Sequence, residues 1–396
     1  MKELASTERF SQAARAAAIQ PPVIPIVGEW TRDNPGTLSL GQGVVGWGPP
    51  EAAYEGIERF REDPDNHKYQ LAQGIPPLLD LIGNKLRDEN GITLNPLERI
   101  FVTAGANMAF VNAILAITDP GDEIILPAPY YFNHEMAVTM LGCRPVIAPT
   151  LDNHQLDLVA LRSAITERTR AIVTISPNNP SGAVYPERDL RDVTSLCQEF
   201  NLFHVSDEAY EYFTFDGARH FSPGSIENAD EHVISLFSLS KAYGFASWRI
   251  GYMVTPTQLL EAMKKIQDTN LICPPVVSQY AAVGALQVGR SYCEEQLAKT
   301  REVRELLLER LDGWSAFATA APAQGAFYLL LKVNSDLPAL ELTRRLIEDH
   351  KVGVIPGSAF GLGKVCYLRI AYGVLDCPTC EEALDRLESG LEALVG

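Results

Sequence analysis

The chain has 396 residues, of which 46% are hydrophobic and 21% are charged, and its formal net charge is −17 at pH 7. This length and composition predict a globular protein with two domains, or one large domain with a satellite, that folds without disulfides or a structural metal. An acidic surface repels phosphate backbones and anionic lipid, so we expect neither nucleic acid nor a membrane among its partners.

The N-terminus, MKELASTERFSQAARAAAIQPP, mixes both signs of charge and lacks the apolar centre of a signal peptide. No apolar run approaches the roughly 20 residues of a membrane span. The seven cysteines are scattered, which is typical of reduced thiols and predicts a cytoplasmic location. Cys377 and Cys380 form a C-x-x-C pair, but no second pair or nearby histidine completes a zinc site, so the sequence predicts no metal.

Residues 41–48 read GQGVVGWG and contain the pattern G-x-G-x-x-G, which indicates a glycine-rich loop. A dinucleotide-binding fingerprint also needs a helix and then a second strand that ends in an acidic residue about 20 positions on. Here the glycines precede Pro49-Pro50 and one helix, and residues 61–70 are polar with no strand pattern. We therefore interpret these residues as a mobile glycine loop and not as a nucleotide site.

Further along the chain, helical patterns at 51–60, 75–89 and 106–117 alternate with short apolar runs. Those runs lie at 99–105, 123–129, 144–150, 170–177, 202–208, 233–241 and 249–254. The alternation predicts an α/β fold in which helices sandwich a mostly parallel sheet.

The C-terminal third changes character. Residues 257–311 predict a long amphipathic helix broken near Pro274-Pro275, and fewer strands with two helices follow. We expect a smaller α+β domain built from both chain ends. The predicted bounds are 1–46 for an N-terminal arm and part of the small domain, 47–290 for the large domain and 291–396 for the rest of the small domain.

Three polar motifs each stand at the carboxyl end of a predicted strand, where α/β folds bind ligands. They are SPNNPSG at 176–182, HVSDEAYEYF at 204–213 and SLSKAYGFASWR at 238–249. A lysine just past a buried strand is costly unless its charge is matched or removed, and desolvation would let Lys241 form an imine with an aldehyde cofactor. The plain alternative is a surface lysine at a strand end.

In this order and spacing, S-x-S-K-x7-R with the upstream N-P-x-G and D-E-x-Y resembles the fold-type I, class I/II pyridoxal-phosphate aminotransferases over nearly the whole chain. The resemblance implies pyridoxal 5′-phosphate as the cofactor and Lys241 as the catalytic residue. Lys241 would form the Schiff base and, once displaced by the amino acid, move a proton between the substrate Cα and the cofactor.

The resemblance also implies the other cofactor contacts. Asp207 would keep the pyridine nitrogen protonated, Tyr210 and Asn179 would hydrogen-bond the phenolic oxygen, and Tyr131 would stack on the ring. The phosphate would meet backbone N–H groups at a helix start together with hydroxyls and a guanidinium. These residues are Gly105, Ala106, Asn107, Ser238, Ser240 and Arg249. Tyr69 matches a tyrosine that reaches the phosphate of the neighbouring subunit, which implies a homodimer with shared active sites.

For the substrate, the resemblance implies that Arg369 grips the α-carboxylate bidentately, with Asn179 beside it. Gly43 would let the backbone of the glycine loop approach the bound substrate closely. The residues after Gly43 depart from the family pattern, which is acidic or proline-bearing at that point.

The side-chain end of the substrate pocket favours a neutral amino donor. In a branch that takes acidic substrates, a lysine can stand where this chain has Asn107, while Val44, Val45, Trp47 and Tyr131 would wall an apolar side chain. We predict ping-pong transfer from an aromatic, methionine-like or other bulky L-amino acid to a 2-oxo acid. An aspartate-type transaminase, with an arginine from elsewhere in the dimer, is one alternative.

Two other classes of protein share this fold. A pyridoxal-phosphate lyase or a cyclopropane-forming synthase would use the same residues. In all three reactions the cofactor stabilises a carbanion at the substrate Cα, and the geometry of the site decides which product forms. A non-enzymatic regulator would carry a DNA-binding arm, whereas only about 30 residues, without a basic recognition helix, precede the fold.

Overall fold

The computed structural model describes residues 12–94 and 97–395. The α-helices are α1 (Ala14–Ala17), α2 (Val23–Asp33), α3 (Glu51–Glu62), α4 (Pro76–Asn90), α5 (Ala106–Ile117), α6 (Phe132–Met140), α7 (Leu158–Ser163), α8 (Glu187–Glu199), α9 (Leu260–Leu271), α10 (Val276–Val288), α11 (Arg290–Leu311), α12 (Ala339–His350) and α13 (Cys377–Val395). The strands are β1 (Leu38–Ser39), β2 (Ile100–Thr103), β3 (Glu123–Ala128), β4 (Arg144–Pro149), β5 (Thr169–Ile175), β6 (Phe203–Asp207), β7 (Val233–Ser238), β8 (Gly251–Val254), β9 (Ala318–Ala320), β10 (Tyr328–Val333), β11 (Val352–Gly353), β12 (Ile355–Pro356) and β13 (Tyr367–Ala371).

The main sheet has seven strands in the order β2-β8-β7-β6-β5-β3-β4. Only β8 runs antiparallel to its neighbours, and the other pairings are parallel. The apolar residues of β5, TRAIVTI, are buried on both faces, as expected for a strand covered by helices on each side. The predicted α/β fold with a mostly parallel sheet is confirmed.

The pairing register of β5, β6 and β7 places the carboxyl ends of these strands side by side. Ile175, the last residue of β5, lies opposite Asp207, the last residue of β6, and Asp207 lies opposite Leu236 near the end of β7. The polar motifs that follow these strands therefore emerge at the same edge of the sheet.

The second structural unit joins both ends of the chain. Its antiparallel sheet has the order β12-β13-β10-β9, and β1 pairs in parallel with β11 through Leu38 opposite Val352. Two helices, α12 and α13, cover this unit, and α2 packs against α12. The smaller α+β unit built from both chain ends is thus confirmed, whereas the exact domain bounds stay a prediction. Residues 1–11 of the predicted N-terminal arm lie outside the described residues.

The segment 257–311 is less continuous than its amphipathic pattern predicts. It breaks near Pro274-Pro275 as expected, and it breaks again at Gly289, whose φ of +72° ends α10 and precedes α11. Within the described residues, no single helix is long and apolar enough to cross a membrane. The pair Thr257–Leu271 and Val276–Val288 reaches that length and composition only when joined across a bend of 119°.

Candidate active site

A cavity of about 180 Å³ lies at the carboxyl edge of the main sheet, next to the start of α5. Its lining consists of Ala106, Asn107, Tyr131, Ile175, Asn179, Asp207, Ala209, Tyr210, Ser238, Ser240, Lys241, Ala246 and Arg249. Apart from Ile175, Ala209 and Ala246, each of these residues was predicted from the sequence as a cofactor contact. The structure therefore brings five separate segments of the chain together around one space.

Lys241 follows β7 and points into this cavity. Its Nζ donates a hydrogen bond of 2.6 Å to the carbonyl oxygen of Gly43. Burial lowers the pKa of the Lys241 ammonium to about 8, with further lowering by the positive charges of Arg369 and Arg249 and an opposing effect of Asp207. A larger fraction of this amine is therefore neutral, and nucleophilic, near neutral pH than for an ordinary lysine.

Asp207 is held at the end of β6 by two contacts. Its Oδ1 accepts a hydrogen bond of 3.0 Å from the N–H of Ala209, and its Oδ2 lies 3.1 Å from Nε2 of His134. The His134 ring stacks on Phe110 with the ring centroids 3.9 Å apart. His134 was not predicted from the sequence, because it lies on α6 in no recognisable motif and meets Asp207 only in the folded chain. This arrangement orients one carboxylate into the cavity.

The part of the cavity at the start of α5 collects hydrogen-bond donors and positive charge. The N–H groups of Ala106 and Asn107 open α5 and have no carbonyl one turn earlier to bond. Arg249 extends across this helix start, where its Nη2 donates to the carbonyl of Ala104 at 3.0 Å. A Cβ on Gly105 would overlap the Arg249 guanidinium, so glycine permits this close approach. This part of the cavity suits an anion such as a phosphate.

Two buried phenols border the same cavity. Burial raises the pKa of Tyr210 well above its ordinary value and also raises the pKa of Tyr131, so both are neutral hydroxyls at physiological pH. Asn179 donates from Nδ2 to the Tyr210 hydroxyl at 3.2 Å, and Asn133 donates from Nδ2 to the Tyr131 hydroxyl at 2.8 Å. Both rings are thereby fixed at the cavity wall.

A second cavity of about 420 Å³ adjoins the first. It shares Tyr131, Asn179, Tyr210 and Lys241 with the first cavity, and adds Pro22, Ile24, Pro25, Gly43, Val44, Phe132, Asn133, Tyr328 and Arg369. Most of the added side chains are apolar, and Arg369 is the cation among them.

Arg369 lies in the middle of β13 and is 2% exposed. Its Nη1 donates to Oδ1 of Asn179 at 3.0 Å, and its Nη2 donates to the carbonyl of Gly41 at 2.8 Å. The guanidinium carbon lies 4.6 Å from the centroid of the Tyr328 ring and 5.1 Å from that of Phe360. These hydrogen-bond partners are neutral oxygens, so a buried cation is available for a carboxylate that enters the cavity.

The glycine loop contributes close approach and not phosphate binding. A Cβ on Gly43 would lie 2.8 Å from the Tyr328 hydroxyl, and the Gly43 carbonyl is the acceptor for Lys241. Trp47 and Val45 were predicted to line the substrate pocket, but they line neither cavity, so that part of the prediction is wrong. Trp47 donates from Nε1 to the carbonyl of Ala242 at 3.1 Å and stacks on Phe213, while Val45 packs against the main hydrophobic core.

Tyr69 and Gly105 are the predicted cofactor contacts that line neither cavity of this chain, and Gly105 directly precedes the lining residue Ala106. Tyr69 is farther along the surface. It lies on the loop between α3 and α4, and 80% of its surface is exposed. Its predicted contact is with a neighbouring subunit, so its position in a single chain does not test that prediction.

Comparison with known proteins assigns the chain to a family. A model described as "Aminotransferase class I and II" matches residues 35–387. The chain belongs to the class I and II aminotransferases. It is 33% identical to an aspartate aminotransferase of Pyrococcus abyssi over 89% of this chain and 91% of that protein. It is 32% identical to aromatic-amino-acid aminotransferase 2 of Thermococcus litoralis over 90% of this chain and 92% of that protein. Among solved structures, aspartate aminotransferase of Thermus thermophilus with maleate has a TM-score of 0.89 at 32% identity, over 96% of this chain and 100% of that one.

As a class I/II aminotransferase, the chain is a transferase that uses pyridoxal 5′-phosphate, and the predicted family and cofactor are confirmed. The cavity fits this cofactor on its own chemistry. It offers a helix start with Arg249 for a phosphate, the Asp207 carboxylate for a ring nitrogen, and a lysine of lowered pKa for the aldehyde.

Proposed function

We propose that this aminotransferase moves an amino group by a ping-pong mechanism between a neutral, bulky L-amino acid and a 2-oxo acid such as 2-oxoglutarate. The observation that supports this specificity is the second cavity, whose lining is mostly apolar. Its two cations are Lys241 and Arg369, and both are needed for steps common to all amino donors.

Lys241 would hold the cofactor covalently and act on the substrate Cα. When bound, pyridoxal phosphate supplies an electron sink for the negative charge that develops at Cα. The Lys241 amine, with its lowered pKa, would remove the Cα proton as a base and then deliver it to the cofactor as an acid. Asp207, fixed by His134 and the Ala209 N–H, would hold the ring nitrogen as its ion-pair partner. Tyr131 would cover one face of the ring.

The phosphate group would be held at the opposite end. Its partners in this proposal are the N–H groups of Gly105, Ala106 and Asn107, the hydroxyls of Ser238 and Ser240, and the guanidinium of Arg249. The helix start and the guanidinium both favour a dianion, which anchors the cofactor while its other end takes part in the reaction.

The substrate carboxylate would bind to Arg369. The guanidinium fork already lies against the Asn179 amide and the Gly41 carbonyl, and its pKa is lowered by burial, so an incoming carboxylate restores the stabilisation that water would give. With the carboxylate there and the amine near Lys241, the substrate side chain would occupy the second cavity, whose lining includes Pro22, Ile24 and Phe132.

That end of the pocket supports a neutral side chain. In the second cavity Asn133 is a neutral amide and the other added side chains at this end are proline, isoleucine, valine and phenylalanine. Asn107, which lines the first cavity, is also neutral. A buried carboxylate without a cation costs several kcal/mol, which outweighs the gain from added apolar contact. The aspartate-type alternative requires a cation from outside this lining, and the printed names of the relatives include both aspartate and aromatic-amino-acid aminotransferases.

Measuring kcat/KM for a panel of amino-acid donors tests this proposal. We expect kcat/KM for phenylalanine, tyrosine or methionine to exceed that for aspartate by about 10-fold to 100-fold, or roughly 1.4–2.7 kcal/mol of transition-state binding. The matched variant Asn107→Lys adds a cation near the pocket and should shift the ratio toward aspartate. A wild-type preference for aspartate of more than about 100-fold would show that the pocket contains a cation that this chain alone does not supply.

We also propose a homodimer with shared active sites. Tyr69 is exposed in the single chain, and so are the apolar side chains of Tyr54, Leu71, Ile272 and Val277 on nearby elements, which supports burial of this face against a second copy. The phenol of Tyr69 would then donate to the phosphate in the neighbouring site.

Mixing two inactive or weakened variants tests the shared site. Tyr69→Phe should weaken cofactor binding by about 5-fold to 20-fold through the loss of one charge-assisted hydrogen bond, whereas Tyr54→Phe, another exposed tyrosine, should not. In a heterodimer of Tyr69→Phe and Lys241→Ala protomers, one site has both native residues, so its cofactor affinity should return to the wild-type value. If mixed protomers show only the two parental affinities, each site is complete within one chain.

A reducing compartment, the cytoplasm, is the proposed location. Its support is chemical, since all seven cysteines are free thiols and Cys143, Cys197, Cys293, Cys366 and Cys380 are buried. In cell fractionation, the protein should follow cytoplasmic marker enzymes.

A further inference from the structure

We infer that Tyr328, a residue without an assigned role, orients the hydroxyl proton of Tyr210 toward the cofactor oxygen. The inference rests on the proposed function, because it concerns the hydrogen bond that Tyr210 offers to bound pyridoxal phosphate. Tyr328 is accordingly a positioning residue that acts through Tyr210.

The contact joins the two structural units of the chain. Tyr328 opens β10 in the four-stranded sheet and is 1% exposed, while Tyr210 follows β6 of the main sheet. Their hydroxyl oxygens are 2.8 Å apart. Burial raises the pKa of Tyr328 to about 12 and that of Tyr210 well above its ordinary value, so both phenols keep their protons and one must donate to the other.

Arg369 decides which way the neighbouring amide faces. Because Arg369 donates from Nη1 to Oδ1 of Asn179, the amide nitrogen of Asn179 faces Tyr210 and donates to its hydroxyl oxygen at 3.2 Å. The Tyr210 oxygen has two lone pairs and one proton, and Asn179 uses the first lone pair.

Tyr328 decides how the rest of the Tyr210 hydroxyl is used. If Tyr328 donates to the second lone pair, the Tyr210 proton points away from both donors and into the cavity. If the direction were reversed, Tyr210 would donate its proton to Tyr328 and could not offer it to the cofactor. A cofactor oxygen that accepts a hydrogen bond from Tyr210 would favour the first arrangement.

The ring of Tyr328 has a separate task. Its face lies beneath the Arg369 guanidinium at 4.6 Å, and its hydroxyl lies close to Gly43, where a Cβ would come within 2.8 Å. The substitution Tyr328→Phe keeps the ring under Arg369 and removes only the hydroxyl. It therefore separates support of Arg369 from orientation of Tyr210.

The test is a spectroscopic pH titration of the bound chromophore, measured without an amino donor. A hydrogen bond to the cofactor's phenolic oxygen withdraws negative charge from it and makes the neighbouring nitrogen a weaker base, so loss of the bond raises the pH midpoint. We expect Tyr328→Phe to raise the midpoint by about half a unit to one unit, in the same direction as Tyr210→Phe. The double variant should match Tyr210→Phe alone, because Tyr328 acts only through Tyr210.

Tyr372→Phe is the matched control, since Tyr372 is a buried tyrosine just past β13 that lines neither cavity, and its midpoint should equal that of the wild type. An unchanged midpoint in Tyr328→Phe, or additive shifts in the double variant, would overturn the inference. Absence of any bound chromophore in the wild type would instead contradict the proposed function, and donor specificity does not enter the measurement.

Discussion

Replacing Lys241 with alanine should lower the kcat of transamination by at least about 10³-fold. Both tasks assigned to this residue, covalent attachment of the cofactor and proton transfer at Cα, need its amine, and among the residues that the structure describes no other amine lines the first cavity. The variant should still bind the cofactor phosphate, because Arg249 and the start of α5 are unchanged. Activity and the bound absorption spectrum are the two measurements.

Borohydride reduction followed by peptide mapping supplies the control for this prediction. Lys85 is also buried, but its ammonium pairs with Glu211 and lies 4.7 Å from the centroid of the Phe237 ring, so its charge is already matched. We expect the reduced cofactor on Lys241 and none on Lys85. A label on Lys85, or a Lys241→Ala enzyme as active as the wild type, would refute the role of Lys241.

Replacing Arg369 with alanine should remove most of the preference for a substrate α-carboxylate. Phenylalanine and phenylethylamine differ only in that carboxylate, and loss of a buried hydrogen-bonded charge pair costs about 2–5 kcal/mol. We therefore expect the ratio of kcat/KM for the two amines, measured in wild type and variant, to fall by about 30-fold to 1,000-fold or more.

A second buried arginine separates specificity from folding. Arg304 is 3% exposed, and it bonds to Asp216 and to the carbonyl of Ala323 away from both cavities. Arg304→Ala should destabilise the protein and leave the ratio unchanged. If the ratio fell equally in both variants, the carboxylate preference would not depend on Arg369 in particular.

Much of the fold follows from local sequence pattern. The seven apolar runs predicted as strands all contain strands of the main sheet, because continuous runs of β-branched and apolar residues suit strands buried on both faces. The break at Gly289 was missed because α11 starts directly after it, so only the left-handed backbone of one residue separates the two helices.

The residues of the candidate site likewise fall into two groups, those that a local motif predicts and those that only the folded chain brings together. Lys241, Asp207 and Asn179 stand in motifs that come directly after strands, so local sequence was enough to place them at one edge of the sheet. Residues recruited over long sequence distances, His134 and Tyr328 among them, leave no local signal. Trp47 was predicted for the substrate pocket as a residue of the glycine loop, but a hydrogen bond to Ala242 and contact with Phe213 hold it against the hydrophobic core.

The half-reaction with phenylalanine in the absence of any 2-oxo acid is the most decisive experiment, because it reports the reaction type and the donor class together. Enzyme with bound pyridoxal phosphate should release one equivalent of phenylpyruvate per site, convert the cofactor to its amine form and release no ammonia. Addition of 2-oxoglutarate should then restore the original spectrum and yield glutamate. Release of ammonia, or conversion of the cofactor by aspartate but not by phenylalanine, would contradict a transaminase for neutral donors.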